Sequence, residues 1–211
     1  MNMLTDNVIV KGGWVMIPII LGSIIALGIA IERGIMLWRI RMDLARFTDE
    51  IYALVRSGEL ETAGAVCART LHPIARVFKA GLEHHGEEPS VVEKAMERQG
   101  NAEVARLEKN MNYLMAIVGV EPMLGFLGTI LGLIGAFMAW EVSAESVTVS
   151  QLAAGIYQAM ITTASGLVVA ITYYVVYSVY ANRIAAITRD LNSHGEEFLA
   201  LITGAGKKKK R

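Results

Sequence analysis

Three stretches of the chain contain no charged side chain: residues 14–31, 122–140 and 146–182. Each is close to or longer than the roughly 20 apolar residues that carry a helix across the hydrocarbon core of a bilayer. The pattern therefore predicts an all-α membrane protein with three transmembrane helices. We expect these helices at residues 14–32, 111–140 and 151–181.

A second pattern, with apolar residues at helical spacing among polar ones, fills the segment between the first two stretches. Residues 42–56 predict an amphipathic helix with several apolar side chains on one face. These side chains are Leu44, Phe47, Ile51, Leu54 and Val55. A shorter helix is expected over residues 59–69, ending before the His72-Pro73 step.

Ser90 and Glu93 have the spacing of a capping box, which predicts the start of another helix. No Gly/Pro cluster interrupts the chain before the second apolar stretch, so we expect one continuous helix over residues 90–140. At 1.5 Å per residue it would be about 75 Å long, more than twice the hydrocarbon thickness. A helix that long extends outside the membrane and needs neighbours, which favours an oligomer.

The basic residues are distributed unevenly, although 20 Lys and Arg balance 20 Asp and Glu overall. Of those 20 basic residues, 19 lie in residues 33–110 or 183–211. Loops rich in Lys and Arg stay on the cytoplasmic side of the membrane. We therefore expect the 33–110 region and a C-terminal helix and tail (182–211) to be cytoplasmic. The N-terminal tail (1–13) and the loop 141–150 are then on the outer side of the membrane.

The second and third transmembrane helices each have one face of small or weakly polar residues and one face of large apolar residues. On a helical wheel, the small face of the second helix holds Glu121, Pro122, Gly125, Gly128, Thr129, Gly132, Gly135, Ala136 and Ala139. That of the third holds Gly155, Gln158, Ala159, Thr162, Thr163, Ser165, Gly166 and Ala170. Close helix packing explains such faces, because small residues let backbones approach and hydroxyls bond to their own helix carbonyls.

Two hydroxyls on these faces are expected at the same membrane depth. Thr129 lies about 11 residues from the outer end of its helix and Thr163 about 12 residues from that of the next, so the helix rise brings them level. A polar layer of this kind could ligand or relay an ion, but a hydroxyl cannot carry the ion's charge. Packing and ion handling both stay open on these residues alone.

Three segments together resemble the MotA/TolQ/ExbB proton-channel family. They are GGWVMIPIILGSIIALGIAIERG at 12–34, PMLGFLGTILGLIGAF at 122–137 and GIYQAMITTASGLVVAI at 155–171. The chain length and the three-span plan resemble the ExbB/TolQ branch of that family.

The resemblance implies a five-membered ring of this chain in the bacterial inner membrane. The ring would enclose two copies of a single-span partner of the ExbD/TolR type, whose membrane Asp binds the ion. Flow of H⁺ or Na⁺ would then drive work across the periplasm, in biopolymer transport, envelope maintenance or motility. A periplasm-spanning effector is a further partner that the resemblance implies.

By motif position, Thr129 and Thr163 are the hydroxyls that the ring contributes. The wider set of candidate ion-pathway residues adds Thr162, Gln158, Ser165 and Glu121. The candidate helix-packing residues are Gly125, Gly128, Gly132, Gly155 and Gly166.

Three residues depart from the family pattern. Gln158 stands where many relatives have Glu, and Thr172 stands where they have Pro. Glu121 occupies a position that is usually small and apolar. Three roles are open for it: a carboxylate at the exit side of the pathway, an interfacial cap, or the partner of an arginine.

Other candidate chemistry is weak. His84 and His85 with nearby glutamates have no second ligand cluster at metal-site spacing, so a solvated loop is the preferred interpretation. Cys67 is interpreted as a buried structural thiol. The run KKKKR at 207–211 suits either anionic lipid headgroups or a solubilising tail.

No nucleophile with a base, metal set or phosphate loop is found, so we expect neither an enzyme nor a bound cofactor, and no nucleic-acid partner. The alternative function is a non-conducting membrane scaffold that anchors a cytoplasmic or envelope complex.

Overall fold

A computed structural model describes residues 11–142 and 149–204 of the chain. Within those residues the structure is helical and contains no strand, which confirms the all-α prediction. The predicted tail before residue 11, most of the predicted loop 141–150 and the basic run 207–211 lie outside the described residues.

The helices follow one another with short connections. They are α1 (Met16–Arg39), α2 (Leu44–Ser57), α3 (Leu60–Arg69), α4 (Pro73–Glu83), α5 (Pro89–Glu108), α6 (Met111–Val142) and α7 (Val149–Ile202). Helices long and apolar enough to cross a membrane occur at α1, at α6 and in α7, as the charge-free stretches predict. Only 22 to 28% of the residues in their most apolar windows are buried, so most of this apolar surface faces outward, as hydrocarbon requires.

The chain divides into two compact units. The membrane unit comprises the described parts of Met1–Glu32 and Asn110–Val179. The amphipathic unit comprises the described parts of Arg33–Lys109 and Tyr180–Arg211. Helices α1 and α7 each contribute residues to both units.

Within the membrane unit, α1 packs against α6 and α7 through two apolar clusters. One centres on Ala26, Ala30, Leu114, Val118 and Tyr173, and the other on Val15, Met16 and Ile19. The phenol of Tyr173 donates a hydrogen bond to the backbone carbonyl of Ser23 at 3.1 Å. This bond gives the polar end of a buried ring an acceptor in α1, so the first span is held to the third by both apolar and polar contacts.

Within the amphipathic unit, aromatic rings join α2, α4 and the C-terminal part of α7. The rings of Phe78 and Phe198 stack at 4.1 Å, and Phe47 and Tyr52 pack around them. Phe47 and Ile51 are buried on one face of α2. The predicted amphipathic helix over 42–56 is thus confirmed, with bounds shifted by one or two residues.

The predicted capping box at Ser90 is wrong. Helix α5 begins one residue earlier, with Glu88 at the N-cap and Pro89 at the first helical position, and no side chain caps it. Proline is favoured there because its ring presets the helical φ and it lacks an N–H that would have no partner.

The prediction of one continuous helix over 90–140 is also wrong. The helix stops at Glu108 and restarts at Met111, and Asn110 between them has φ +65°. Asparagine is one of the few residues other than glycine that readily adopts this left-handed conformation. Its side-chain amide also donates to the Glu32 carboxylate at 3.1 Å, which ties the break to the end of the first span.

Candidate functional site

Helices α6 and α7 face each other through their small residues inside one chain. The closest approach is at Gly132 and Gly155. A Cβ added to Gly132 would lie 2.8 Å from the Gly155 carbonyl oxygen, and one added to Gly155 would lie 2.6 Å from the Gly132 carbonyl oxygen. Since both neighbours are backbone, only glycine permits this spacing.

The other three predicted packing glycines lie along the same contact, which we call the glycine seam: Gly125, Gly128, Gly132, Gly155 and Gly166. A Cβ on Gly125 would lie 3.0 Å from the Thr162 carbonyl oxygen. A Cβ on Gly128 would overlap the Thr162 side chain, and one on Gly166 would overlap the Glu121 carbonyl oxygen. Gly135, which shares the small face of α6, has no such neighbour within 4 Å.

Thr129 and Thr163 meet across the seam, and their hydroxyls are hydrogen-bonded to each other. The Thr129 hydroxyl also has the carbonyl oxygens of Ala159 at 3.2 Å and Gly125 at 3.3 Å as acceptors. The Thr163 hydroxyl reaches the same Gly125 oxygen at 3.2 Å. Both threonines are half-buried.

The two hydroxyls and the two carbonyls therefore form a cluster of oxygen atoms at one level between α6 and α7. Each hydroxyl can donate one proton and accept through its lone pairs, so the cluster can pass a proton along or hold a cation. It has no ionisable member, so it cannot retain a charge of its own.

Thr162 has different surroundings from its neighbour Thr163. Its side chain is fully buried, with 0% exposure, against Gly128. Its hydroxyl donates back to the carbonyls of Gln158 and Ala159 on its own helix, both at 3.0 Å. This arrangement is that of a packing residue whose polar atom is satisfied locally.

Gln158 and Ser165 line two separate cavities in the membrane unit. Gln158 borders a cavity of about 550 Å³ with Lys11, Tyr157 and small residues of α6 and α7. Its amide packs against Gly13, whose φ is +70°. Ser165 instead faces a cavity of about 380 Å³ between α1 and α7, with Ser23 and apolar side chains. The structure thus does not bring Ser165 to the hydroxyl pair.

Glu121 is buried in the membrane unit, with 1% exposure. Its Oε2 atom has no hydrogen-bond partner among the described residues. The other carboxylate oxygen lies directly against Gly22 of α1, where a Cβ would overlap it. No arginine and no capping amide contacts this carboxyl in the described part of the chain, so two of its three predicted roles have no structural support. Gly22 was not predicted as a contact of Glu121, because the sequence of α1 does not show which residue of another helix packs against it.

In the amphipathic unit, the buried polar groups have contacts that are typical of structural side chains. Burial raises the pKa of the Cys67 thiol to about 12, as expected for an inert structural cysteine. His84 contacts the Ala80 carbonyl, and the described residues contain no group of three or more metal-ligating side chains. Arg76 forms an ion pair with Glu103, and the Glu103 carboxylate also accepts a hydrogen bond from Gln99. The ion pair was not predicted, because Arg76 and Glu103 are distant in sequence.

His72 was also missed. Its Nδ1 accepts a hydrogen bond from the Ile74 backbone amide at 3.3 Å, so the ring caps helix α4. Burial lowers the pKa of His72 to about 4; the nearby Asp190 opposes this shift and Arg183 adds to it. A polar residue immediately before Pro73, at the start of a helical pattern, was the signal that could have revealed it.

The helices that form this site lie within a region that is similar to known proteins. Residues 69–193, which include both halves of the glycine seam, match the model of the MotA/TolQ/ExbB proton channel family. The biopolymer transport protein ExbB-like 1 of Synechocystis sp. is 35% identical over 173 residues, which cover 80% of this chain and 67% of that protein.

Two further relatives are similar over different shares of the chain. The Tol-Pal system protein TolQ of Haemophilus influenzae is 34% identical over 109 residues, covering 52% of this chain and 47% of that protein. The biopolymer transport protein ExbB of Pseudomonas putida is 27% identical over 199 residues, covering 90% of this chain and 59% of that protein.

Proposed function

Because this chain belongs to the MotA/TolQ/ExbB proton channel family, on its ExbB/TolQ-like branch, we propose that it is the ring-forming channel subunit of an ion-driven motor. It is a multi-pass protein of the inner membrane. In this proposal the ring is a homopentamer, with the N-terminus in the periplasm and the C-terminus in the cytoplasm. The ring surrounds a dimer of a single-span ExbD/TolR-type partner.

The hydroxyl pair of Thr129 and Thr163 is the observation that carries the proposal. A hydroxyl can pass a proton or ligand an ion but cannot store its charge, and residues 122–140 and 146–182 contain no charged side chain. The titrating carboxylate at the level of the hydroxyl pair is therefore proposed to come from the partner, as a membrane Asp. The transported ion is H⁺ or Na⁺.

The other candidate residues take different positions in this proposal. Glu121 precedes Thr129 by two helical turns, about 12 Å, on the proposed cytoplasmic side. Gln158 precedes Thr163 by about 7.5 Å, on the proposed periplasmic side. Ser165 is kept as a polar group beside α1. Thr162 is proposed to support the seam and not to contact the ion.

The proposed work is energy transduction for biopolymer transport or for envelope maintenance or motility. Membrane lipids, and in some of these processes a periplasm-spanning effector, are further proposed partners. These proposed roles follow from membership of the family.

The test is ion flux in liposomes that contain this chain and its partner. Thr163→Val keeps the side-chain shape and removes the hydroxyl, so it should abolish flux while assembly persists. Thr163→Ser should retain part of the flux. Loss of the hydroxyl as a packing bond would cost only about 0.6 kcal/mol, too little to prevent assembly.

Thr172→Val is the matched control. Thr172 is exposed on the same helix, and its hydroxyl donates to the Val168 carbonyl of that helix at 2.7 Å. This variant should conduct like the wild type. Changing the partner's membrane Asp to Asn should stop flux. Wild-type flux from Thr163→Val, or sustained flux with the Asp-less partner, would contradict the proposal.

A non-conducting scaffold is the second candidate, and one observation favours it. Both hydroxyls of the pair have helix carbonyls as acceptors within the chain, so they could serve packing alone. The scaffold predicts no partner-dependent flux from the wild type, and equal assembly for the Thr163 and Thr172 variants.

A further inference from the structure

Glu121 places a carboxyl at the contact of the first and second membrane helices. The carboxyl is buried between α6 and Gly22 of α1, and the backbone of Gly166 in α7 packs against the Glu121 carbonyl. Any side chain at position 22 would overlap Oε1. The contact is therefore shaped around this one carboxyl.

Among the described residues, no ionisable group of opposite charge faces the Glu121 carboxyl. Residues 12–31, which include the part of α1 packed against Glu121, contain no ionisable side chain. In α7, residues 149–182 offer only tyrosine phenols, and that of Tyr173 is bonded to the Ser23 carbonyl. Within α6 the other ionisable residues are Tyr113, about 12 Å away along the axis, and Glu141, about 30 Å away.

An ionised carboxylate in such surroundings has lost its hydration and has no counter-ion. Its Oε2 atom also has no hydrogen bond among the described residues. That state is far more costly than burial of the neutral acid, which carries no net charge. The closed contact at Gly22 is thus suited to the neutral form of the side chain.

We propose that Glu121 is a proton-binding site on this chain and that its protonation closes the contact between α1 and α6. The carboxylate takes a proton from hydronium at one oxygen, forming an O–H bond and releasing water. When the proton returns to water, the carboxylate no longer fits the dry contact, and α1 must separate from α6 at Gly22 or admit water. Glu121 is thereby a latch between two membrane helices.

This site is separate from the hydroxyl pair and adds a titrating group to each copy of the chain. The inference rests on the proposed function only for the idea that the latch acts during ion flow. Proton binding itself does not depend on a partner. The experiment therefore uses the full chain alone in lipid vesicles, where a failure of partner-dependent flux leaves the result intact.

The direct measurement is the infrared carbonyl stretch of protonated carboxyl groups at neutral pH. The wild type should show a band that Glu121→Gln lacks, because glutamine has a similar shape but no carboxyl. Glu141→Gln, at an exposed position at the far end of the same helix, should keep the band. Identical spectra from the wild type and Glu121→Gln would overturn the proposal, since Glu121 would then be ionised in the folded chain.

The latch is tested separately by a pair of glycines in α1. Gly22→Ala should lower the thermal midpoint and shift or remove the Glu121 band, because its methyl group takes the space of Oε1. Gly28→Ala is the matched control, since a Cβ there has nothing within 4 Å, and it should leave both unchanged. The double variant Gly22→Ala/Glu121→Ala should recover the midpoint lost by Gly22→Ala. Equal behaviour of the two glycine variants would overturn the latch.

Discussion

At the residue scale, the glycine seam sets the distance between α6 and α7. In Gly132→Ala the new methyl group would lie 2.8 Å from the Gly155 carbonyl oxygen and 3.0 Å from the Ala159 amide nitrogen. Neither backbone atom can swing aside, so the helices must separate. Overpacking of this kind costs about 1–3 kcal/mol.

We therefore expect Gly132→Ala to lower the thermal unfolding midpoint in detergent. Gly135→Ala, three residues further along the same helix, has open space and should be neutral. Equal destabilisation by the two variants would show that helix–helix distance is not what these glycines control.

The second residue-scale prediction concerns His72 and pH. Its folded-state pKa is lowered to about 4 from an ordinary value of 6.5, mainly by burial. The unfolded chain therefore binds a proton below pH 6.5 that the folded chain does not bind until about pH 4. Stability should be lost as pH falls through this window, by up to about 3 kcal/mol.

The measurement is thermal unfolding of the full chain at neutral pH and near pH 5. His72→Asn keeps a capping side chain that does not titrate, so it should weaken the pH dependence. His85→Asn changes an exposed histidine and should not. An unchanged pH dependence in His72→Asn would assign it to other groups.

At the element scale, the break between α5 and α6 depends on Asn110. Asn110→Ala loses both the preference for positive φ and the hydrogen bond to Glu32, whereas Asn110→Gly loses only the bond. The left-handed conformation costs about 1–2 kcal/mol for residues that disfavour it. We expect alanine to destabilise the chain more than glycine, as measured by unfolding or by proteolysis at residues 109–110. If alanine were harmless, the break would not depend on this conformation.

At the scale of the whole molecule, the small-residue faces do not determine the oligomeric state. The small-residue faces of α6 and α7 pack against each other inside one chain, so in this structure they are not free to form interfaces between subunits. The pentamer therefore stays a prediction that depends on family membership and on the outward apolar surfaces.

Native mass spectrometry in mild detergent should show a pentamer of this chain. A monodisperse monomer under conditions that preserve helicity would contradict it. Thr163→Val should give the same oligomer as the wild type, because its hydroxyl bonds within the chain.

Much of the fold could be predicted because its strongest signals are local. Charge-free runs identify the three spans, since hydrocarbon does not tolerate unpaired charge. The spacing of Phe47 and Ile51 identifies α2. The levels of Thr129 and Thr163 follow from the fixed rise of a helix. The predicted capping box was wrong because the helix begins at Pro89 and not after Ser90. The predicted continuous helix was wrong because a single asparagine, Asn110, adopts a left-handed conformation that interrupts it.

What the sequence alone determined is therefore composition along each helix: which segments are apolar, which face is small and at what depth a hydroxyl lies. Only the tertiary structure decided which faces meet. It turned the small faces of α6 and α7 toward each other, placed Ser165 in a different cavity from Thr163, and set Gly22 against Glu121. The physical reason is that helix periodicity is a property of neighbouring residues, whereas packing depends on surfaces that are separated in the chain, by 23 residues for Gly132 and Gly155 and by 99 residues for Gly22 and Glu121.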